Sequence, residues 1–219
     1  MRKQYEEQLA ILHRELITMG QMCEEAITSA VRSLTHNDRE LTGHVFEVDA
    51  GIDKKEREIE TLCLKLLLQQ QPVATDLREI SSALKMISDM ERIGDQASDI
   101  AELVPYMLGH TDQNEKDLQA MSKEAIKMVN DSVDSYVRRD LVLARSVIAY
   151  DDVVDEWFVR LKAELIAMIG KDHANGEYCV DLLMAAKYLE RIADHATNIA
   201  EWVEYSITGK RSKNGVIPD

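Results

Sequence analysis

"ERIGDQASDIAE", residues 91–102, returns 99 residues later as "ERIADHATNIAE", residues 190–201. Eight of the twelve positions are identical, and in both copies apolar residues recur every three or four positions, which is the spacing of an amphipathic helix. A second pair of motifs, "DAGID" at 49–53 and "DDVVD" at 151–155, shares the pattern Asp-x-x-[Ile/Val]-Asp. These repetitions predict two tandem units of similar structure.

The composition favours helices along the whole chain of 219 residues, which has only 3 Pro and 9 Gly. Helical periodicity runs through six segments: 4–36, 39–71, 74–109, 114–138, 141–170 and 176–208. We therefore predict an all-α fold of two tandem, pseudo-symmetric three-helix bundles, six helices in all. The first repeat is expected at 1–110, the second at 111–208, and a flexible tail at 209–219.

The charge balance limits the partners that the chain can have. Its 40 acidic and 26 basic residues give a formal net charge of −14, so we expect no nucleic acid as partner. No apolar run reaches the roughly 20 residues of a membrane span, and the N-terminus lacks the apolar core of a secretory signal. Three isolated cysteines without CxxC spacing fit reduced thiols. A cytoplasmic protein without membrane insertion is expected.

Acidic residues flank the apolar stripe of the third helix in each predicted unit. Glu91 and Asp95 lie about 40° apart around the helix axis, and Asp99 extends their row by one turn. Glu190 and Asp194 have the same register in the second unit. Because these acids border the stripe, they are expected at the edge of the packing surface.

The second helix of each unit carries a matching acid pair, Asp49 with Asp53 and Asp151 with Asp155. Like charges at this i,i+4 spacing cost roughly 0.2–0.5 kcal/mol in an isolated helix, so something should offset them. If the second and third helices are neighbours, the two pairs of each unit converge into a patch of four carboxylates. Such a patch suits hard cations such as iron(III), manganese, magnesium or calcium.

Two interpretations of these acids stay open at this stage. They are either ligands of cations or solvated rims that pair with Arg92 and Arg191. The chain has no Glu-x-x-His pairing of the di-iron bundles, and no GxxxxGK[ST], GxGxxG, HExxH or GxSxG motif. We therefore expect no enzyme and no catalytic residue.

Two of the four differences between the copies of the twelve-residue motif bear on the acidic rows. Asn198 stands where the first unit has Asp99, which predicts a higher-charged or larger metal cluster in the first unit. His195 stands where the first unit has Gln96, and it points about 100° away from the acid row, which favours a structural role. Turned back toward the row, its imidazole would suit iron or zinc.

The chain resembles the PhoU family over nearly its whole length. The resemblance rests on both pairs of motifs, the segment "MVNDSVDSYVRRD" at 128–140 and the six-helix length. It implies two three-helix bundles that bind metal clusters on their surfaces, and frequent dimerisation. The candidate metals are iron, zinc, manganese and magnesium, and the sequence does not choose among them. The ligands it implies are Asp49, Asp53, Glu91, Asp95, Asp151, Asp155, Glu190 and Asp194, with Asp99 added from the row.

The PhoU family consists of cytoplasmic regulators associated with bacterial phosphate uptake. The resemblance implies a negative regulator that couples the ATP-binding subunit of a phosphate ABC transporter to a phosphate sensor histidine kinase. A rigid, acidic, non-catalytic body of two similar halves suits such an adaptor. The alternatives are a carboxylate-rich metal-storage protein, a metal-dependent enzyme, and a structural scaffold that binds no metal.

Overall fold

The computed structural model describes residues 2–36, 38–70, 73–107 and 113–210, which form six α-helices and no strand. None of the described helices is long and apolar enough to cross a membrane. The all-α, six-helix prediction is confirmed. The helices are α1 (Arg2–His36), α2 (Arg39–Gln70), α3 (Ala74–Glu102), α4 (Gln113–Arg138), α5 (Leu141–Lys171) and α6 (Gly176–Thr208).

Several helix ends follow from single residues. The Asp38 carboxylate accepts from the backbone N–H of Leu41 before α2, and that of Asp140 accepts from Leu143 before α5. These caps satisfy N–H groups that have no partner inside the helix. Gly209, at φ 73°, ends α6 in the left-handed conformation that glycine adopts without a steric penalty.

The third helix ends earlier than predicted, at Glu102 instead of residue 109. Pro105 explains the difference, because proline lacks an N–H and disfavours the helical conformation of the residue before it. The chain instead forms a short 3-10 turn at Val104–Tyr106. Residues 108–112, and 211–219 of the predicted tail, lie outside the described residues.

The helices pack as two three-helix bundles that share one core. α1, α2 and α3 pack against one another, as do α4, α5 and α6. The bundles meet along α3 with α6 and along α1 with α4, and α3 with α6 is the most extensive helix pair in the described chain. We call that contact the α3–α6 seam. A single cluster of buried apolar side chains runs through both bundles, including the predicted α6 stripe of Leu189, Ile192, Ala193, Ala196, Ala200 and Val203.

Buried polar contacts also join the two halves. The Tyr136 hydroxyl on α4 donates to the backbone carbonyl of Glu79 on α3 at 2.8 Å. The Arg139 guanidinium, in the turn between α4 and α5, donates to the buried Glu79 carboxylate at 2.8 Å. Because both contacts cross from one bundle to the other, they fix the relative position of the halves beyond what apolar packing specifies.

Candidate functional site

The acid pairs of the first half come together where α2 packs against α3. We call Asp49, Asp53, Glu56, Glu91 and Asp95 the first acidic patch. Asp95 on α3 repels Asp49 on α2, and Asp53 and Glu56 on α2 repel Glu91 on α3. The sequence predicted this convergence for four of the five side chains. Glu56, one turn further along α2 from Asp53, was not predicted.

The carboxylates of the first patch are held against their mutual repulsion. Burial, and then repulsion by Asp95, raise the pKa of Glu91 above its ordinary value. Burial also raises the pKa of Asp49, although a hydrogen bond from Ser98 opposes that rise. Asp49 Oδ1 is buried without a hydrogen-bond partner among the described residues. A bound cation would relieve both the repulsion and this unpartnered oxygen.

Gly94 permits the close approach of α2 and α3 at the first patch. A Cβ atom built on Gly94 would lie 2.6 Å from Asp49 Oδ1 and 3.1 Å from Ile52 Cδ1. The equivalent residue in the second half is Ala193, which does carry a Cβ. The Asp49 carboxylate therefore lies against the backbone of α3 in a space that only glycine leaves open.

The second acidic patch comprises the predicted Asp151, Asp155, Glu190 and Asp194, where α5 packs against α6. Asp152 of α5, which was not predicted, also repels Asp155 and belongs to this patch. Partial loss of solvation, and then repulsion by Glu190, raise the pKa of both Asp155 and Asp194. Asp155 and Asp194 are exposed, whereas Asp53 and Asp95 of the first patch are half-buried. The two patches thus lie at equivalent positions of the two halves but differ in the solvent exposure of their carboxylates.

A hydroxyl group orients one carboxylate in each patch. Ser98 Oγ donates to Asp49 Oδ2 at 2.9 Å, and Thr197 Oγ1 donates to Asp151 Oδ1 at 3.2 Å. Ser98 and Thr197 occupy the same position of the twelve-residue motif. They were not predicted because only acidic side chains and histidine were considered as candidates, although a hydroxyl in both copies was a visible signal.

Exposed arginines form ion pairs with some acids of the first patch. Arg92 Nη1 lies 3.0 Å from Asp95, and Arg92 Nε lies 3.5 Å from Glu91. Arg57 Nη1 lies 4.0 Å from Asp53. Both arginines are largely exposed, so these pairs contribute at most about 1 kcal/mol each. Ion pairs with arginine therefore involve Asp95 and Glu91 but do not explain the buried oxygen of Asp49.

Asp99 lies between the first acidic patch and the α3–α6 seam. Burial, and then repulsion by Glu102 and Asp95, raise its pKa, and the charge of Arg191 on α6 opposes the rise. Burial, and then the negative charge of Asp99, which disfavours the phenolate, raise the pKa of Tyr188 on α6. Asp99 is thus close both to Asp95 of the predicted ligand row and to the Arg191 guanidinium of the other half.

The side chains of His195 and Asn198 contact α3 across the seam, and not the acids of the second patch. His195 Nδ1 lies 2.9 Å from Asp89 Oδ1 on α3, and Asn198 Nδ2 donates to the same oxygen at 3.2 Å. His195 therefore has the structural role that its register favoured. The exchange of Asp99 for Asn198 follows from the different contacts that each makes across the seam.

The side chains of these patches are of the type that binds hard metal ions, but their positions do not surround one. Across residues 2–36, 38–70, 73–107 and 113–210, no group of three His, Cys, Asp or Glu side chains is placed to hold one metal ion. The donors are nevertheless all carboxylates, which hard cations prefer, and the first patch offers the unpartnered Asp49 oxygen. Binding would require the acid side chains to turn toward one another.

Two tandem three-helix units with an acidic patch on each define the class of molecule, a duplicated helical-bundle protein. The PhoU domain model matches the chain twice, over residues 16–104 and 118–203, once in each bundle. The chain therefore belongs to the PhoU family, as the sequence motifs predicted.

Relatives of similar length support this assignment. The phosphate-specific transport system accessory protein PhoU homolog of Clostridium acetobutylicum is 37% identical over 212 residues, which cover 96% of this chain and 97% of that protein. The homolog of Pseudomonas aeruginosa is 34% identical and covers 94% of this chain and 86% of that protein. The chain thus matches such proteins nearly end to end.

Solved structures of PhoU proteins have the same fold. The crystal structure of PhoU from Pseudomonas aeruginosa superposes with a TM-score of 0.86 at 34% identity, covering 94% of this chain and all of that one. The phosphate transport system regulatory protein PhoU from Streptococcus pneumoniae gives a TM-score of 0.86 at 28% identity, covering 94% and 98%.

Replacing Gly94 by alanine tests the close approach of Asp49 to α3. Alanine in a helix is worth roughly 0.5–1 kcal/mol over glycine, but the added Cβ would collide with the carboxylate and cost about 1–3 kcal/mol. We expect Gly94→Ala to lower the free energy of unfolding in urea. Gly43→Ala is the matched control, since no atom lies within 4 Å of its Cβ position, and it should be stabilising. Equal stabilisation by both substitutions would contradict the close approach.

Proposed function

We propose that this protein is a negative regulator of phosphate uptake and of phosphate-starvation signalling. It acts in the cytoplasm and couples the ATP-binding subunit of a phosphate ABC transporter to a phosphate sensor histidine kinase. The observation that carries the proposal is the end-to-end match to accessory proteins of phosphate-specific transport systems, with both PhoU domains present. Cys23, Cys63 and Cys179 are buried thiols outside any disulfide, which is consistent with a reducing compartment.

The architecture supports an adaptor role. α2 and α5 are the outer helices, since their extensive contacts are with the other helices of their own bundles, and each carries acids of one patch. Two acidic faces on one rigid core can engage two partners with basic surfaces at the same time. With a net charge of −14, long-range attraction would steer such partners toward the protein.

Cation binding by the acidic patches is the second part of the proposal. Asp49, Asp53, Glu91 and Asp95, with Asp99 at the edge, would hold a cation in the first half. Asp151, Asp155, Glu190 and Asp194 would hold one in the second half. Iron, zinc, manganese and magnesium are the candidate metals. A bound cation would neutralise the repelling carboxylates and link the outer helix of each bundle to the helix of the seam.

The regulatory role is tested by deleting the gene and measuring phosphate-scavenging reporter genes in rich phosphate. We expect the reporters to switch on, because the restraint on the kinase is lost, and wild-type protein to restore repression. A variant with Asp49→Asn, Glu91→Gln and Asp95→Asn should restore it less well. Its matched control is Glu40→Gln, Glu47→Gln and Glu60→Gln, which makes the same charge change at exposed positions of α2. Reporter expression that stays unchanged on deletion would refute the role.

Self-association is the third part of the proposal. Val159 and Ile166 lie on one face of α5 and are 64% and 58% exposed, with the exposed Ala163 between them. Light scattering at micromolar concentration and physiological salt should give the mass of a dimer. Val159→Glu with Ile166→Glu should shift the protein to the monomer, whereas Leu68→Glu, at an exposed site on α2, should not. A monomeric wild-type mass would refute this part.

A further inference from the structure

One end of the α3–α6 seam carries an open groove that neither acidic patch includes. Its volume is about 730 Å³. Its walls include Tyr106, from the turn after α3, and five residues at or just before the start of α6, which are His173, Gly176, Glu177, Val180 and Asp181. Pockets that bind ligands in proteins have volumes of roughly 300–1,000 Å³. The groove is therefore large enough to receive side chains of another molecule.

Three apolar side chains are exposed in and beside this groove. Tyr106 is 71% exposed, Val180 is 53% exposed, and Met184, one turn after Val180 on α6, is 40% exposed. The backbone at Tyr106 is anchored, because the side chains of Val104 and Met107 on either side of it are buried. An exposed ring on an anchored backbone suits binding, since little conformational freedom is lost when a partner covers it.

The charged side chains of the groove are acidic. Glu177 and Asp181 lie one helical turn apart in its wall, and Val180 lies between them in the sequence. Burial, and then repulsion by Glu177, raise the pKa of Asp181, and no basic side chain of the described residues opposes that rise. A cationic group of a partner would relieve the repulsion. The groove thus combines apolar surface with negative charge that the described chain does not neutralise.

The other end of the seam has a different surface at the equivalent positions. α3 and α6 repeat with an offset of 99, so Tyr106 corresponds to Tyr205, whose half-buried ring meets that of Trp202 edge to face at 5.9 Å. The counterparts of Glu177, Val180, Asp181 and Met184 are, in that order, Arg78, Ser81, Ser82 and Lys85. The same fold therefore forms there without apolar and acidic residues at these positions, so packing of the bundle does not require them.

We propose that this groove binds a segment of a partner protein in which an apolar side chain lies within one helical turn of a Lys or Arg. The inference rests on the proposed adaptor role and adds a docking surface separate from the two acidic patches. The apolar side chain would pack on Tyr106 and Val180, and the cationic side chain would lie beside Glu177 and Asp181. The aliphatic stem of a Lys or Arg can also cover apolar surface while its charged end reaches an acid. The net charge of −14 would attract such a segment over a long range.

Binding of two purified probes to the full chain tests the groove. The probes are the ATP-binding subunit of the phosphate transporter and the cytoplasmic region of the sensor kinase, and calorimetry measures each affinity. Val180→Ser with Met184→Lys introduces the residues of the first-half counterparts and should weaken the binding of one probe by about tenfold. Val73→Ser with Leu77→Lys is the matched control, since it makes the same charge change at two exposed apolar residues one turn apart. Weakening of both probes or of neither by the groove variant would overturn the inference.

Removing the two acids tests the charge of the groove separately. Glu177→Gln with Asp181→Asn should weaken the same probe by about fivefold at low salt and by less at high salt. Glu40→Gln with Glu47→Gln makes the same charge change at exposed positions of α2 and is the control. Equal weakening by both variants would indicate attraction to the whole acidic chain instead of the groove, and would overturn the inference.

Cross-linking identifies the molecule that lies in the groove. Val180→Cys can be labelled with a benzophenone maleimide, because the native thiols of Cys23, Cys63 and Cys179 are buried. Mass spectrometry should place the cross-link to the same probe within one helical turn of a Lys or Arg. Cross-links only to a second copy of this chain, or only within one chain, would overturn the inference. So would a monomeric mass of Val180→Ser with Met184→Lys if the wild type is a dimer.

Failure of the groove and failure of the proposed function give different results. If the probes bind and none of the groove variants changes their affinities, the groove is refuted and the adaptor role stands. If neither probe binds the wild-type chain, the adaptor role and the groove are both refuted.

Discussion

The packing of α3 against α6 is the constraint on which the positions of both acidic patches depend. The stripe that forms this contact contains small residues, among them Ala97 on α3 and Ala196 on α6, both fully buried. Once these faces are in the core, the acids beside each stripe have little freedom. Glu91 and Asp95 must then face Asp49 and Asp53 on the outer helix, even though the charges are alike. The core thus stabilises a local arrangement that electrostatics opposes.

The two halves share one fold, but equivalent positions of α3 and α6 make different contacts. Across the seam, the Asp89 carboxylate accepts a hydrogen bond from Asn198 and lies beside His195. The counterparts of Asp89 and Asn198 are Tyr188 and Asp99, a neutral phenol and a carboxylate near the Arg191 guanidinium. The hydroxyls of Ser98 and Thr197 have been kept in both patches. The seam therefore joins two halves that are alike in fold and unlike in the charges of equivalent side chains.

Helical periodicity in the sequence predicted the features that are set within a single helix. The six segments, the buried α6 stripe and the registers of the acid pairs follow from periodicity, which a helix converts directly into position. The convergence of the acids needed only the assumption that neighbouring helices pack. The early end of α3 was not predicted, because the apolar periodicity of segment 74–109 continues through Pro105.

Features that depend on contacts between helices were not visible in the sequence. The Asp49 carboxylate lies against Gly94 because α2 and α3 pack closely at that point. The contact of the Lys187 ammonium group with the Phe158 ring, at 5.4 Å, crosses from α6 to α5. The ligand roles of the nine acids, Asp99 included, stay a prediction. Their side chains would have to rotate to surround one ion, and helical register does not determine those rotations.

Metal content in protein purified without chelator tests most directly whether the repelling carboxylates serve cation binding. Plasma emission on folded protein should show that Glu91→Ala with Asp95→Ala removes more bound metal than Glu190→Ala with Asp194→Ala. The expected difference follows from Asp99, which extends the first acidic row where the second half has the neutral amide of Asn198. Equal losses in the two variants would contradict the inequality of the patches, and no loss in either would contradict cation binding by the acids altogether.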